Sequence, residues 1–480
     1  MNESHRLAEA SRPADDIPST ERGTSLKVGQ GRPFRRYVVS YAFALMGFFM
    51  LFGAVGGILL PNQVQGIEFD KFFTGADHGA DLHQLSDLKA QVEAGSVTPS
   101  ADQQRLLAIL DRFESARAQS LSYVQAAAVF VAMFIQPITG VLSDRTRSPW
   151  GRRAPWIVGG AVLGTLLLVG LRYSPTIAYM AVFWALSQLL LNVSSVPLTA
   201  TVADRVDARR IGMASAISGL CSMLGAAVGA VGAGLAFDTL GLDAYYPFAL
   251  AFVVLATLFV LISRDRSSME LTTAPMEWTD TFRSFVIPLR DSDFRWVWFA
   301  KIVMMFGYSI SILYSIYMLQ SYVHPALSPS EATKIAPLLQ VAALPCMLVA
   351  MVVVGRWSDR IGRRKPFVFW TSVLMATSML IPLIWATVSA LFIQAVIAGI
   401  ALGGYVVVDQ ALFIDVIEDK KTAGRDLGMA SMAGNLGQGI GPIIGGQVVA
   451  LAGGYRAVWV VAAVVVLAAA AAIIPVKRAR

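Results

Sequence analysis

The sequence predicts an all-α membrane protein of twelve transmembrane helices arranged as two pseudo-symmetric six-helix halves. Three observations predict it. The chain of 480 residues is 55% hydrophobic and only 15% charged, against about 25% charged for a soluble domain. Apolar runs recur along it, most of them long enough to cross about 30 Å of hydrocarbon as a helix. Two words also repeat at an offset of about 215 residues, the mark of a duplicated half. They are Gly140-Val-Leu-Ser-Asp144-Arg145 with Gly355-Arg-Trp-Ser-Asp359-Arg360, and Gly212-Met-Ala-Ser215 with Gly428-Met-Ala-Ser431.

Residues 1–36 are polar and rich in Ser, Pro and Arg, so a disordered cytoplasmic tail is expected. They lack the short apolar core of a cleavable signal. The first apolar run, 37–60, is expected to end at Leu60-Pro61-Asn62. Residues 61–118 read as an extracytoplasmic insertion. In it Leu82, Leu85, Leu88 and Val92, and then Leu106, Leu110 and Phe113, recur at helical spacing, which predicts two short amphipathic helices. Their apolar faces either cap the mouth of the bundle or pack on each other. Runs at 119–142, 155–173, 175–202, 212–236 and 245–263 complete an N-terminal half over 37–263. The polar stretch 264–293 reads as a cytoplasmic linker. Six runs at 294–320, 333–355, 366–386, 388–415, 428–452 and 455–476 then form a C-terminal half over 294–480.

The net charge is +7, but its distribution speaks of topology. Most of the 39 basic residues fall in the tail, the linker, alternate loops and the C-terminus, on one side of the predicted membrane. That bias puts both termini in the cytoplasm and gives no footprint for nucleic acid. Cys221 and Cys346 lie inside apolar runs and read as small core residues. The four histidines have no ligand spacing, so neither metal nor cofactor is expected. No lysine-bearing phosphate loop or nucleophile elbow is present, which argues against an enzyme and against built-in ATP drive.

The repeated loop carries a resemblance. Gly-x-x-x-Asp-Arg-x-Gly-Arg-Arg stands intact at Gly355–Arg364 and, expanded by Thr146 to Trp150, at Gly140–Arg153. It resembles the signature loop of the major facilitator superfamily, which implies that fold and a secondary active transporter working by alternating access. The family implies a cytoplasmic gate of Asp144, Arg145, Arg152, Arg153, Asp359, Arg360, Arg363 and Arg364 that latches the halves. The other reading of those arginines is topology and contact with anionic lipid. Asn192-Val-Ser-Ser-Val-Pro197-Leu-Thr-Ala200-Thr-Val-Ala-Asp204 with Arg210-Ile-Gly212 is similar to the fourth helix and following loop of sugar–cation symporters, the glycoside–pentoside–hexuronide and sucrose carriers. That similarity implies H+- or Na+-coupled uptake of a sugar or glycoside by a protein expected to be monomeric. The acids those carriers place in their first two helices are missing from the runs read here as helices 1 and 2. Gly437-Gln-Gly-Ile-Gly441-Pro442-Ile-Ile-Gly445-Gly446 matches the string that drug antiporters carry in helix 5, but it stands in predicted helix 11. Efflux antiport is the alternative, and a non-transporting receptor a third class. The small residues of helices 5 and 11 predict tight packing in the moving interface.

Charges inside a bilayer cost at least about 2.5–3.5 kcal/mol and are functional candidates by default. Lys301 in predicted helix 7 and Asp409 in predicted helix 10 fall at similar depth, so an ion pair is expected, either exchanging with a coupling proton or static. Helix 4 carries a polar stripe of Trp184, Gln188, Asn192, Ser195 and Thr199 at helical spacing. Tyr308 and Tyr314 in helix 7, and Gln394 and Tyr405 in helix 10, extend it. Amides and tyrosines suit a neutral polyhydroxylated solute, through hydrogen bonds to hydroxyls and stacking on apolar sugar faces. Interhelical hydrogen bonding is the alternative use of the same groups.

Overall fold

The computed structural model describes residues 31–207, 210–269, 287–416 and 423–477. Of the expected tail over 1–36, residues 1–30 lie outside the described residues and Arg32 to Arg36 already belong to the first helix; the middle of the expected linker, 270–286, also lies outside them. The N-terminal half begins with α1 (Arg32–Ala54), which runs through a π-helical turn (Val55–Leu59) into α2 (Leu60–Phe72). It continues with α3 (Leu82–Glu93), α4 (Ala101–Arg145), α5 (Ala154–Arg172), α6 (Ile177–Arg205), α7 (Ile211–Leu240) and α8 (Tyr245–Ile262). The C-terminal half holds α9 (Ser292–Leu313), α10 (Ser315–Ser321), α11 (Pro329–Ile361), α12 (Lys365–Ile384), α13 (Val388–Val416), α14 (Ala423–Ala452) and α15 (Arg456–Ile473).

Among the described residues, 10 helical stretches are long and apolar enough to cross a membrane, and one of them, Ile211–Ile262, contains both α7 and α8. The amide- and glycine-bearing α14 is outside that set, yet it packs between α9 and α4. The expected twelve spans are reached only by counting α7 and α8 apart and adding α14.

The duplication is visible in the packing. α1 lies on α7 and α8 as α9 lies on α14 and α15. α4 lies on α6 as α11 lies on α13, and α5 on α6 and α8 as α12 on α13 and α15. The halves meet along α4–α14 and α7–α11. One end of the bundle carries the segment between α2 and α4, and is called the insertion end below. The other carries both Ser-Asp-Arg words, and is called the loop end.

Two boundaries differ from the expectation. The first helix does not stop at Pro61; it continues to Phe72. Proline normally ends a helix because it has no N–H and crowds the preceding turn. Here the turn widens to a π register, and the Leu60 N–H donates to Val55 O. In that register the donor for Gly56 O would be residue 61, which has none. The side chain of Gln125, from α4, supplies it instead: Nε2 donates to Gly56 O at 3.0 Å.

The second difference is in the insertion. Apart from a short 3-10 turn at Gly75–Gly79, only α3 is a separate helix, entered through an Asp81 cap. The segment holding Leu106, Leu110 and Phe113 is the opening of the 45-residue α4, which starts from a Ser100–Gln103 capping box. Phe73, Leu85, Leu110 and Phe113 form a small core of their own, so the amphipathic faces pack largely on each other.

The glycines set helix approach within each half. A Cβ at Gly225 of α7 would sit 2.6 Å from Met46 O of α1, and one at Gly229 would collide with the Met50 carbonyl. Gly437 and Gly441 of α14 stand likewise against the backbone of α9 at Ile302 and Phe306. Across the halves, Gly234 abuts Thr333 O of α11 at 2.8 Å, and Gly446 meets Ser122 of α4. The expected close packing of helices 5 and 11 is thus mainly onto α1 and α9, with Gly234 of α7 and Gly439 and Gly446 of α14 also reaching the other half. Gly229→Ala is expected to lower the melting temperature in detergent, through strain on the order of 1–3 kcal/mol. Gly219→Ala on the same helix, where no atom lies within 4 Å of the new Cβ, is expected to leave it unchanged or raise it.

Candidate functional site

Two cavities lie between the halves and share Phe49, Phe52 and Gln438 as common wall. The first, about 430 Å³, is lined by the α6 stripe of Trp184, Gln188, Asn192, Ser195 and Thr199, with Gln125 and Gln136 of α4 and Asn435 of α14. The second, about 510 Å³, is lined from the C-terminal half by Tyr308, Ser311, Gln340 and Gln394, and from α7 by Ser222. Both volumes fall in the range of roughly 300–1,000 Å³ that small-molecule sites occupy. Among the described residues, no Asp, Glu, Lys or Arg lines either one.

The polar groups of the first cavity are linked. Gln125, tied by its Nε2 to Gly56 O, accepts through Oε1 from Trp184 Nε1 at 3.2 Å. The proline-imposed π turn of the first helix is therefore joined to the indole that walls the cavity. Gln136 Nε2 donates to Asn192 Oδ1 at 3.1 Å, and Asn192 Nδ2 donates to Gln188 O at 2.8 Å. Gln188 Nε2 is buried without a hydrogen-bond partner. A buried unpaired donor is costly, and this one belongs to a residue that lines the cavity.

Two of the expected binding residues do something else. Tyr314 is fully buried and donates to Pro442 O at 2.9 Å, so its hydroxyl is engaged in holding α14. Tyr405, also buried, is not among the residues lining either cavity and lies beside Asp409 instead. Sequence reading passed over Gln125, Gln136, Gln340, Asn435 and Gln438. Gln125 and Gln136 lie about three turns apart on one face of α4, a spacing visible in the sequence. Gln438 sat inside the glycine string read for its small residues.

Lys301 Nζ lies 2.9 Å from Asp409 Oδ2, joining α9 to α13 within the C-terminal half. The carboxylate side chain is 2% exposed and the lysine 19%, and the ammonium also stands 5.1 Å from the Phe413 ring centroid.

At the loop end, the signature residues pair inside each half. Arg153 Nη2 lies 2.5 Å from Asp144, and its Nε 3.0 Å from Asp204 at the end of α6. Arg152 contacts Asp204 at 2.6 Å and Asp144 at 3.7 Å. Arg364 spans Asp359 at 4.0 Å and Asp415 of α13 at 3.1 Å. In this conformation the loops bind α4 to α6 and α11 to α13, and the expected latch from half to half is not seen in these pairs. Arg145, Arg360 and Arg363 lie at the same end, the latter two exposed.

The halves are instead tied at the insertion end. Tyr317 OH donates to Pro61 O at 2.7 Å, Thr333 Oγ1 to Asn62 Oδ1 at 3.1 Å, and Gln119 Nε2 to Gln447 Oε1 at 3.2 Å. Lys334 pairs with Asp238.

Two pseudo-symmetric helical halves closing at one end over a shared central cavity are the architecture of a secondary transporter. The sequence profile described as MFS/sugar transport protein matches residues 114–476, and the chain belongs to that family. It is a multi-pass membrane transporter and not an enzyme. The chain is 40% identical over 58 residues to the sucrose transport protein SUT1 of Oryza sativa subsp. japonica, a stretch covering 12% of this chain and 11% of that protein. It is 69% identical over 26 residues to an uncharacterized symporter of Synechocystis sp., 5% of each. These matches thus span only about a tenth or less of their relatives. Among solved structures, the nucleoside transporter NupG superposes with a TM-score of 0.66 at 14% identity, covering 92% of this chain and 99% of that one. A bacterial homolog of the lysosomal transporter Spinster, inward-facing and occupied, gives 0.63 at 13%, covering 94% and 98%. At those identities the likeness is one of fold.

The buried ion pair carries a testable cost. Asp409→Leu strands Lys301 and is expected to destabilise the protein by about 3–5 kcal/mol, read as a lowered melting temperature in detergent. Lys301→Met combined with Asp409→Leu is expected to recover most of that loss.

Proposed function

We propose that the chain is a cation-coupled transporter of a neutral sugar or glycoside, bound between the halves and carried by alternating access. One observation carries the reading: the polar groups on the cavity walls are amides and hydroxyls set among aromatic and aliphatic side chains, and no lining residue carries a formal charge. A carboxamide offers both donor and acceptor, which matches a hydroxyl that needs both. Phe49, Phe52 and Trp184 offer rings for the apolar faces of a pyranose. A cationic drug or an anionic metabolite would enter such a site without a counter-charge, at a desolvation cost the walls do not repay. The family description and the names of the sucrose carrier and the symporter agree with this reading.

In the proposed cycle, the closed insertion end and the cavity describe one state. The solute leaves or enters from the loop end, which the basic-residue bias assigns to the cytoplasm of a cell membrane. The loop-end arginines and their aspartates are the candidate latch of the opposite state, in which they would exchange partners across the halves. Lys301–Asp409 is the candidate coupling pair: a proton taken by Asp409 releases Lys301, and the pair reforms when the proton leaves. Efflux antiport is the second reading; the glycine string that would mark it lies in α14 and not in α7.

Counterflow in proteoliposomes, with radiolabelled disaccharides against a panel of lipophilic cations, tests the reading. Disaccharide exchange without cation exchange is expected, and the reverse would replace uptake by efflux. Gln188→Leu is expected to raise the half-saturation concentration about tenfold, equivalent to 1.4 kcal/mol of lost binding. A proton gradient, and not a sodium gradient, is expected to drive accumulation. Lys301→Met with Asp409→Leu is expected to keep counterflow while losing accumulation.

A further inference from the structure

The insertion end holds a charge network that the solute cavity does not use. Its centre is Arg117 of α4, 1% exposed. Nη1 donates to Gln65 Oε1 and to Gln320 Oε1, each at 3.0 Å, and Nη2 donates to Ser321 Oγ at 2.6 Å. The guanidinium also lies 4.5 Å from the ring centroid of Tyr317. Gln320, Ser321 and Tyr317 all belong to α10, so one cation of the N-terminal half is held by three side chains of the other half.

The charge of Arg117 is not matched by a close carboxylate. Glu114, one turn earlier on α4 and itself buried, approaches Nη2 only to 4.0 Å, and that oxygen accepts no hydrogen bond. Its other oxygen accepts from Lys89 Nζ at 3.0 Å, and Lys89 also contacts Asp111 at 2.6 Å. Lys89 stands on α3, the separate helix of the insertion. A buried carboxylate needs a counter-charge, and guanidinium binds carboxylate more strongly than it binds a neutral amide or hydroxyl. Were Glu114 not already neutralised, it would draw Arg117 along α4 and away from Gln320 and Ser321.

We propose that Arg117 is the gate residue of the insertion end and that Lys89 is its positioning residue: by holding Glu114, the insertion leaves Arg117 free to clasp α10 and keep this end shut. The insertion thereby sets the balance between the two states of the transporter. The proposal rests on alternating access in this family and on no particular solute.

The test measures the gate without any substrate. Spin labels at Tyr173→Cys and Trp385→Cys, exposed positions on opposite halves at the insertion end, report the separation in a Cys221→Ala, Cys346→Ala background. Lys89→Glu is expected to raise the long-distance population several-fold over the parent, and Arg117→Gln to do the same. Lys89→Gln combined with Glu114→Gln, which removes the rival carboxylate together with its partner, is expected to return the distribution to the parent's. Should Lys89→Glu not fold, Lys89→Gln is read in the same way, with a smaller increase expected. An unchanged distribution in the single Lys89 variant, or a double variant that opens as widely as the single, overturns the proposal. Sugar counterflow that failed while these distances shifted would sink the solute reading and leave the gate standing.

Discussion

Hydrocarbon supplies no hydrogen bonds, so every polar group inside the bundle must be answered by another part of the protein or by what the cavity holds. That constraint runs through the whole molecule. Pro61 removes one donor from the first helix; the helix widens, and Gln125 comes from α4 to fill the gap at Gly56 O. The same amide then fixes Trp184, so a backbone defect and the cavity wall are parts of one arrangement. Tyr314, at the end of α9, donates to Pro442 O in α14.

The charged groups obey the same rule in three places. Lys301 and Asp409 answer each other within the C-terminal half. The loop-end arginines answer aspartates on the ends of α6 and α13, each within its own half. Arg117 is different, because its hydrogen-bonding partners lie in both halves. A contact that crosses the seam must be made and broken in each turnover, whereas one within a half need not be. On that criterion the insertion-end network belongs to the gate, and the loop-end pairs of this conformation stiffen the moving bodies.

The fold was largely legible. The repeated words located two halves whose helices pack in equivalent pairs, and helical spacing on α6 picked out five side chains that line one cavity. The Lys301–Asp409 contact followed from depth alone, since two opposite charges in hydrocarbon have few other partners. What stayed hidden had non-local causes. Nothing near Pro61 announces that a glutamine more than 60 residues away will carry the helix through it. Arg117 and Glu114 lie in a polar stretch that reads as soluble, and only the long reach of α4 and α2 brings them beneath α3 and against α10. Tyr314 and Tyr405 looked like binding residues because their type suits a sugar; both are buried, Tyr314 is engaged with Pro442 O, and Tyr405 lies off both cavities.

In the proposed cycle, transport requires the insertion end to open while the solute sits between the halves. Asn62 and Thr333 touch across the seam at 3.1 Å, so cysteines at both positions, in a chain lacking Cys221 and Cys346, offer a staple for the closed state. Proteoliposome flux before and after oxidation, and again after reduction, is the direct measurement. Oxidation is expected to abolish flux and reduction to restore it. Undiminished flux through quantitatively cross-linked protein would contradict the proposed cycle.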